Sequence, residues 1–295
     1  MDGAGAAVPN RVLVGVTIPD NEQVCEQYPD KRDMTKFRVR QVGYSESNKK
    51  DVSGDPLYSC FARDCFSFSK KRYHVGELLE LPELPPDLAE GVAGVPPYIV
   101  LNVMLPNYQP SKLYSNYNGE GWSYTFYFVM TKATREWLHD LDNAPASVRT
   151  LHRFITVDDH DWRDRLKIIA SLLNPEETKF GRLTLAAVNK YNMKPFLSRP
   201  QHKFFKGPSY FEIDIDVHEF GYIPRSTWQA IKANVAQCKV DFGLTIEGRD
   251  DSELPEVMML SVRHDKYNLE DAVPFEKAQA LSDEQRERNA AADHE

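Results

Sequence analysis

The clearest pattern in the chain is the strict alternation of apolar and polar residues over 210–217. Successive side chains of a strand point to opposite faces, so this pattern predicts a strand with one apolar and one acidic face. The acidic face carries Glu212, Asp214, Asp216 and His218. Residues 98–105 form a nearly continuous apolar run after two prolines, which indicates a buried strand. We expect residues 123–130 to pair with it.

Further strands are predicted at 37–40, 57–68, 240–247 and 257–262, the last two completing the same sheet. Three helices are predicted from apolar residues at helical spacing. The first begins at Ser147 and carries Val148, Leu151 and Ile155; the second carries Trp162, Leu166, Ile169 and Leu173; the third covers 226–238. Strands grouped early and helices inserted later predict an α+β fold, with an antiparallel β-sheet and packed helices in a single main domain.

Composition divides the chain into three parts. Residues 1–33 form an irregular N-terminal extension, residues 34–275 the main domain, and residues 276–295 a charged C-terminal tail that permits helix. The 295 residues are 41% hydrophobic and 27% charged, which is typical of a soluble globular protein and excludes a wholly disordered chain or a coiled coil. The net charge of −8 disfavours nucleic-acid binding.

No apolar run approaches the roughly 18 residues that span a bilayer, and residues 1–7 lack the pattern of a secretory signal. We therefore expect a cytoplasmic protein without a transmembrane segment. Its four cysteines, Cys25, Cys60, Cys65 and Cys238, are then predicted to be reduced structural thiols.

Residues 158–161 read Asp-Asp-His-Asp and are followed by Arg163 and Lys167. The acidic residues could cap the predicted helix near Trp162, where they suit the positive end of its dipole. The two basic side chains, four residues apart on one helix face, could instead bind an anion. A divalent metal bound by the carboxylates is the third alternative. Helix capping is the simplest interpretation.

Two strands carry further charged candidates. The acidic face of 210–217 would suit acid–base chemistry or metal binding if it lined a cavity. Its simpler interpretation is the solvated face of an antiparallel sheet, paired with basic residues of neighbouring strands. Arg38 and Arg40 share one strand face and could bind a phosphate or carboxylate, or pair with acidic residues across strands. We expect no catalytic residue, cofactor or metal ligand. The candidates for a polar or anion-binding site are Arg38, Arg40, Arg163, Lys167, Asp214 and Asp216.

Several short blocks follow one another in a specific order: FRVR at 37–40, RF at 153–154 with DD at 158–159, YFEIDID at 210–216, and ELPE at 253–256. In this order, over about residues 37–270, the sequence resembles the C-terminal domain of the plant ENHANCED DISEASE RESISTANCE 2 proteins, which also occurs in algae and protists. Gln41 and Val157 replace glycines of the family pattern, so two turns are expected to differ.

The resemblance implies a domain without catalytic activity. Plant members carry a pleckstrin-homology domain and a START lipid-binding domain upstream, so their association with lipids suggests a lipid or other amphipathic ligand. We expect this chain to be a stand-alone copy, because it has room for neither. The alternative function is a structural or adaptor subunit of a large assembly, for example cytoskeletal or ciliary, whose protein partners order the tails. A metal-dependent hydrolase using both acidic clusters is the lesser alternative.

Overall fold

Two β-sheets organise the chain in a computed structural model, which describes residues 11–18, 36–111, 118–197 and 201–292. The strands are β1 (Val12–Leu13), β2 (Arg38–Arg40), β3 (Lys50–Val52), β4 (Tyr58–Phe68), β5 (Leu79–Glu80), β6 (Tyr98–Pro106), β7 (Gly121–Met130), β8 (Leu166–Leu172), β9 (Phe196–Leu197), β10 (His202–Lys206), β11 (Tyr210–Asp216), β12 (Lys239–Ile246), β13 (Met258–Asp265) and β14 (Val273–Pro274). The α-helices are α1 (Tyr44–Ser47), α2 (Pro86–Ala89), α3 (Lys132–Leu138), α4 (Ala146–Thr156), α5 (His160–Arg163), α6 (Arg182–Tyr191), α7 (Tyr222–Lys232) and α8 (Phe275–Ala292).

The large sheet has six strands in the order β10-β11-β6-β7-β4-β14. The predicted antiparallel pairing of β6 with β7 is confirmed, with Leu101 opposite Phe126. β11 runs parallel to β6, and β14 runs parallel to β4, so this sheet is mixed rather than purely antiparallel. The predicted α+β class is confirmed, since separate sheets are combined with helices inserted between strands.

The second sheet has four antiparallel strands in the order β13-β12-β8-β9. The prediction that residues 240–247 and 257–262 complete the large sheet is therefore wrong, because β12 and β13 belong to this separate sheet. The prediction of a helix over 162–173 is also wrong: a four-residue helix, α5, is followed by strand β8. The run of buried apolar residues in β8 fits strand alternation as well as helical spacing, and pairing with β12 and β9 selects the strand.

The other two predicted helices are confirmed with shifted ends. In α4 the predicted stripe of Val148, Leu151 and Ile155 is buried, but the helix begins one residue before Ser147, which does not cap it. Helix α7 begins four residues before the predicted start and ends at Lys232, because a short 3₁₀ turn follows at Val235–Gln237.

The large sheet is covered on both faces. Its inner face packs against the second sheet and α4, through a continuous cluster that includes Leu101, Phe126, Phe211 and Leu244. Its outer face is covered by residues from 11–18, from 71–81 and from α8, and forms a second cluster. A sheet covered on both faces has no solvated face, so the acidic side chains on β11 are buried.

Helix α8, in the segment assigned as a charged tail, packs on this outer face through its buried residues Phe275, Ala278 and Ser282. The hydroxyl of Ser282 accepts a hydrogen bond from the backbone N–H of Leu13 at 2.9 Å. Arg286 donates to Glu80 at 2.7 Å. The C-terminal helix thus joins the N-terminal strand β1 and the short strand β5 into one cover over the sheet. None of the helices in the described part of the chain is both long and apolar enough to cross a bilayer.

Candidate functional site

A row of buried polar side chains crosses the outer face of the large sheet. Asp214 lies opposite Asn102, Asn102 opposite Thr125, and Thr125 opposite Asp64, so the row runs in register across β11, β6, β7 and β4. All four residues have 0% exposure, as does Glu212. The interpretation of the acidic face as a solvated sheet face is therefore wrong. The alternation in the sequence correctly predicted a shared face but not the segments that cover it.

Backbone N–H groups of the covering segments satisfy the carboxyls of this row. Those of His74 and Gly76 donate to Asp214 at 2.9 Å and to Glu212 at 3.0 Å. A Cβ at Gly76 would lie 2.6 Å from Oε2 of Glu212, so only glycine permits this approach. At the other end of the row, Asp64 accepts hydrogen bonds from the backbone of residues 15 and 17 at 2.7 and 2.8 Å. The row therefore holds the covering segments in place.

Glu212 and Asp214 are neighbouring buried carboxyls on one face of β11. Burial, followed by the negative charge of Asp214, raises the pKa of Glu212 well above its usual range. Burial also raises the pKa of Asp214, while hydrogen bonds oppose the shift. Glu212 is thus the carboxyl of the two that binds a proton more readily. Such a pair has the chemistry of a general acid and base. Here, however, it faces backbone of the chain itself.

Asp216, a predicted candidate, lies at the end of β11 in a compact ion-pair cluster. The ammonium of Lys71 is 2.6 Å from Asp216 and 3.0 Å from Glu219, and the hydroxyl of Tyr73 donates to Asp216. The neighbouring His218 contacts the hydroxyl of Tyr108 at 3.0 Å, and burial lowers the pKa of His218 to about 4. The imidazole is therefore neutral at physiological pH, and the charges of Asp216 are compensated within the chain.

The structure brings Arg40 and Lys167 together, but on a carboxylate of the protein. The ammonium of Lys167 is 2.5 Å from Glu256 Oε1, and Arg40 Nε is 3.9 Å from the same oxygen. Arg40 also pairs with Glu247 at 2.9 Å. Arg38, on the same short strand, donates to a backbone carbonyl of β3 at 2.6 Å. Pairing of Arg40 with acidic residues, one of the two alternatives from the sequence, is the arrangement observed.

Arg163 lies apart from these residues, beneath the C-terminus of α4. Its guanidinium donates to the carbonyls of Phe154 and Ile155, and burial lowers its pKa. Capping of the following helix by an acidic residue is confirmed, because the side chain of Asp159 accepts from the backbone N–H of Asp161 at 2.9 Å. The predicted i, i+4 relation of Arg163 to Lys167 is wrong, since Lys167 is on strand β8.

The acidic clusters show no arrangement for a metal. No three His, Cys, Asp or Glu side chains are grouped as a metal site within the four described ranges. Asp161, in the first cluster, is instead held by Arg165 at 2.9 Å and by Arg249. Cys60, Cys65 and Cys238 are buried free thiols, as predicted, and Cys25 lies outside the described residues.

Two surface pockets have volumes of about 210 Å³ and 10 Å³. The first is lined by Gly91, Gly94, Val95, Pro96, Ile155, Lys206, Gly207, Pro208, Tyr210 and Phe211, and none of the six predicted candidates borders it. Small-molecule sites typically enclose about 300–1,000 Å³, so neither pocket has the volume to enclose a lipid.

Large apolar side chains are exposed along and beside α6. We call the basic apolar surface the stretch 179–196, whose exposed apolar residues are Leu183 (89% exposed), Tyr191 (61%), Met193 and Phe196. Ile223 of α7, a helix that contacts α6, is 73% exposed. None of the candidate residues predicted from the sequence lies on this surface, and the surface was not predicted. The available signal was the charge pattern: residues 178–211 contain no Asp or Glu and seven Lys or Arg.

The family model described as Protein ENHANCED DISEASE RESISTANCE 2, C-terminal, matches residues 30–268. The match contains the large sheet except β14, the whole second sheet, all the predicted candidate residues and the basic apolar surface. Comparisons with curated proteins and with solved structures gave no match.

Proposed function

The chain belongs to the family of the ENHANCED DISEASE RESISTANCE 2 C-terminal domain, and from this premise we propose that it is a non-catalytic binding domain. Its ligand is lipid-like and amphipathic, and it binds on an open face of the domain rather than in an enclosed cavity. The observation that carries the proposal is the exposure of Leu183, Tyr191 and Ile223 on two contacting helices. Several large apolar side chains exposed on neighbouring elements of a folded domain are typical of interaction sites.

The polar interior supports the non-catalytic part of the proposal. A catalytic carboxyl must reach substrate, whereas Glu212 and Asp214 are fully buried and accept hydrogen bonds from the chain's own backbone. The basic candidates Arg40 and Lys167 are likewise neutralised by Glu256. The charged groups that the sequence singled out therefore stabilise the fold, and binding is left to the surface.

Native mass spectrometry of the protein purified gently from its own cells tests this function. We expect a bound mass on the wild-type chain that is lost in Leu183→Ser/Ile223→Ser. The matched control is Val42→Ser, which removes an apolar side chain that is 56% exposed in a turn far along the chain from α6. A lipid-sized mass on a monomer supports the proposed ligand. A stoichiometric protein complex instead would identify an adaptor subunit, and a bare chain in every sample would refute binding.

A further inference from the structure

The charge of the chain is unevenly distributed around α6. Between Thr178 and Phe211 there are seven basic and no acidic residues, in a protein whose net charge is −8. Within the described ranges, none of the four basic residues of the basic apolar surface has a carboxylate at ion-pair distance; these are Lys179, Arg182, Lys190 and Lys194. By contrast, basic residues such as Lys167 and Lys71 are paired with carboxylates of the chain. The positive charge at α6 is therefore available to an external anion.

The apolar side chains of this surface stand among those charges. Leu183 follows Arg182, Tyr191 follows Lys190, and Phe196 comes two residues after Lys194. None of the described side chains of α6 is fully buried. A helix with basic and apolar residues exposed together, including aromatic ones, has the composition of a segment that lies in a membrane interface.

The basic apolar surface is also fixed to the body of the domain. The backbone N–H of Met193 donates to the carbonyl of Ala170 on β8 at 2.8 Å. The side chain of Asn192 accepts from the backbone N–H of Leu172 at 2.7 Å. Strand β9 then pairs with β8 through Phe196 opposite Ile168. Docking therefore requires no folding of this segment, so no backbone conformational entropy is lost in ordering it on binding.

We propose that the basic apolar surface docks on an anionic lipid bilayer, a proposal that rests on the proposed function and names its ligand. The ammonium and guanidinium groups contact lipid phosphates and carboxylates, while Leu183, Tyr191 and Phe196 enter the headgroup layer. Charge complementarity selects this partner, because the surface combines uncompensated cations with apolar groups.

Vesicle flotation of the full chain tests the proposal. We expect binding to vesicles of phosphatidylcholine with phosphatidylserine and much weaker binding to phosphatidylcholine alone. Each basic residue near an anionic surface contributes roughly fivefold in partitioning, so Lys190→Glu/Lys194→Glu should lower binding by at least about 25-fold. The control, Lys132→Glu/Lys277→Glu, makes the same charge change at exposed lysines on α3 and α8 and should bind as wild type does.

Separate outcomes distinguish the two proposals. Equal binding to neutral vesicles would overturn the preference for anionic lipid. An equal loss of binding in both charge variants would overturn the assignment of binding to the basic apolar surface. Binding that survives about 1 M salt, where charges are screened beyond about 3 Å, would overturn the electrostatic part. Leu183→Ser should weaken vesicle binding while its thermal midpoint stays at the wild-type value. If no vesicle binds while native mass spectrometry still finds a partner, the membrane proposal fails and the binding function stands.

Discussion

The pair of Lys167 and Glu256 provides a quantitative test of how the predicted anion-site residues act. Their charged groups are 2.5 Å apart, and the two side chains are 7% and 2% exposed. Glu256 also accepts a hydrogen bond from the backbone N–H of Gly248 at 3.0 Å. Replacing Lys167 by methionine keeps the length of the side chain but leaves the buried carboxylate without its nearest cation.

Removing one partner of a buried ion pair costs about 3–5 kcal/mol, because the remaining charge stays desolvated. Arg40 Nε remains 3.9 Å from Glu256 Oε1, so we expect Lys167→Met to cost roughly 3 kcal/mol, the lower end of that range. In domains of 150–250 residues each kcal/mol shifts the thermal midpoint by about 2–4 °C, which gives a decrease of at least roughly 6 °C.

Urea unfolding and thermal melting of Lys167→Met, Glu256→Gln and the double variant would measure this coupling. The double variant should be more stable than Lys167→Met alone, since the uncompensated charge is gone. Lys132→Met, at an exposed position, controls for loss of one charge. A loss below about 1 kcal/mol would refute a buried structural pair. If inorganic phosphate stabilised the wild type and not Lys167→Met, the anion-site interpretation would be correct instead.

Three further predictions concern the other buried charges. Glu212→Gln should change stability by less than about 1 kcal/mol, because burial already favours the uncharged form of Glu212. Asp216→Asn should cost roughly 3 kcal/mol by leaving Lys71 with weaker compensation, and urea midpoints compare the two variants. Burial raises the pKa of Asp64 from 3.8 to about 6, so the folded state retains a proton that the unfolded chain loses. The stability contributed by this proton is present below pH 3.8 and is lost as pH rises through about 6. The loss is roughly 3 kcal/mol. Asp64→Asn should flatten this part of a measured pH–stability profile. Arg163→Ala should lower the free energy of unfolding in urea by about 2 kcal/mol, because two carbonyls at the end of α4 lose their donor. A decrease below about 0.5 kcal/mol, the usual limit for a surface substitution, would contradict this role.

Predictions from the sequence are confirmed where the local pattern of apolar residues agrees with the contacts made in the folded chain. The alternation over 210–217 correctly predicted strand β11 with its carboxyls on one face. The apolar run at 98–105 predicted the buried strand β6, and the stripe of three apolar residues predicted α4. The order of short blocks indicated the family, and the match over 30–268 confirms it.

The predictions are wrong where contacts between residues distant in sequence determine the secondary structure or the burial of a segment. Residues 166–172 are apolar enough to satisfy both periods, and β12, more than 60 residues away, makes them a strand. The acidic face of β11 is buried because backbone from residues 74–76 donates to it, which no local period can show. Arg40 and Lys167 meet on Glu256, 89 residues beyond Lys167. Periodicity reports only whether one side of an element is apolar, whereas burial of the other side depends on segments that the fold brings there. No described segment covers the surface at α6, and in the sequence that surface is marked only by its excess of basic residues.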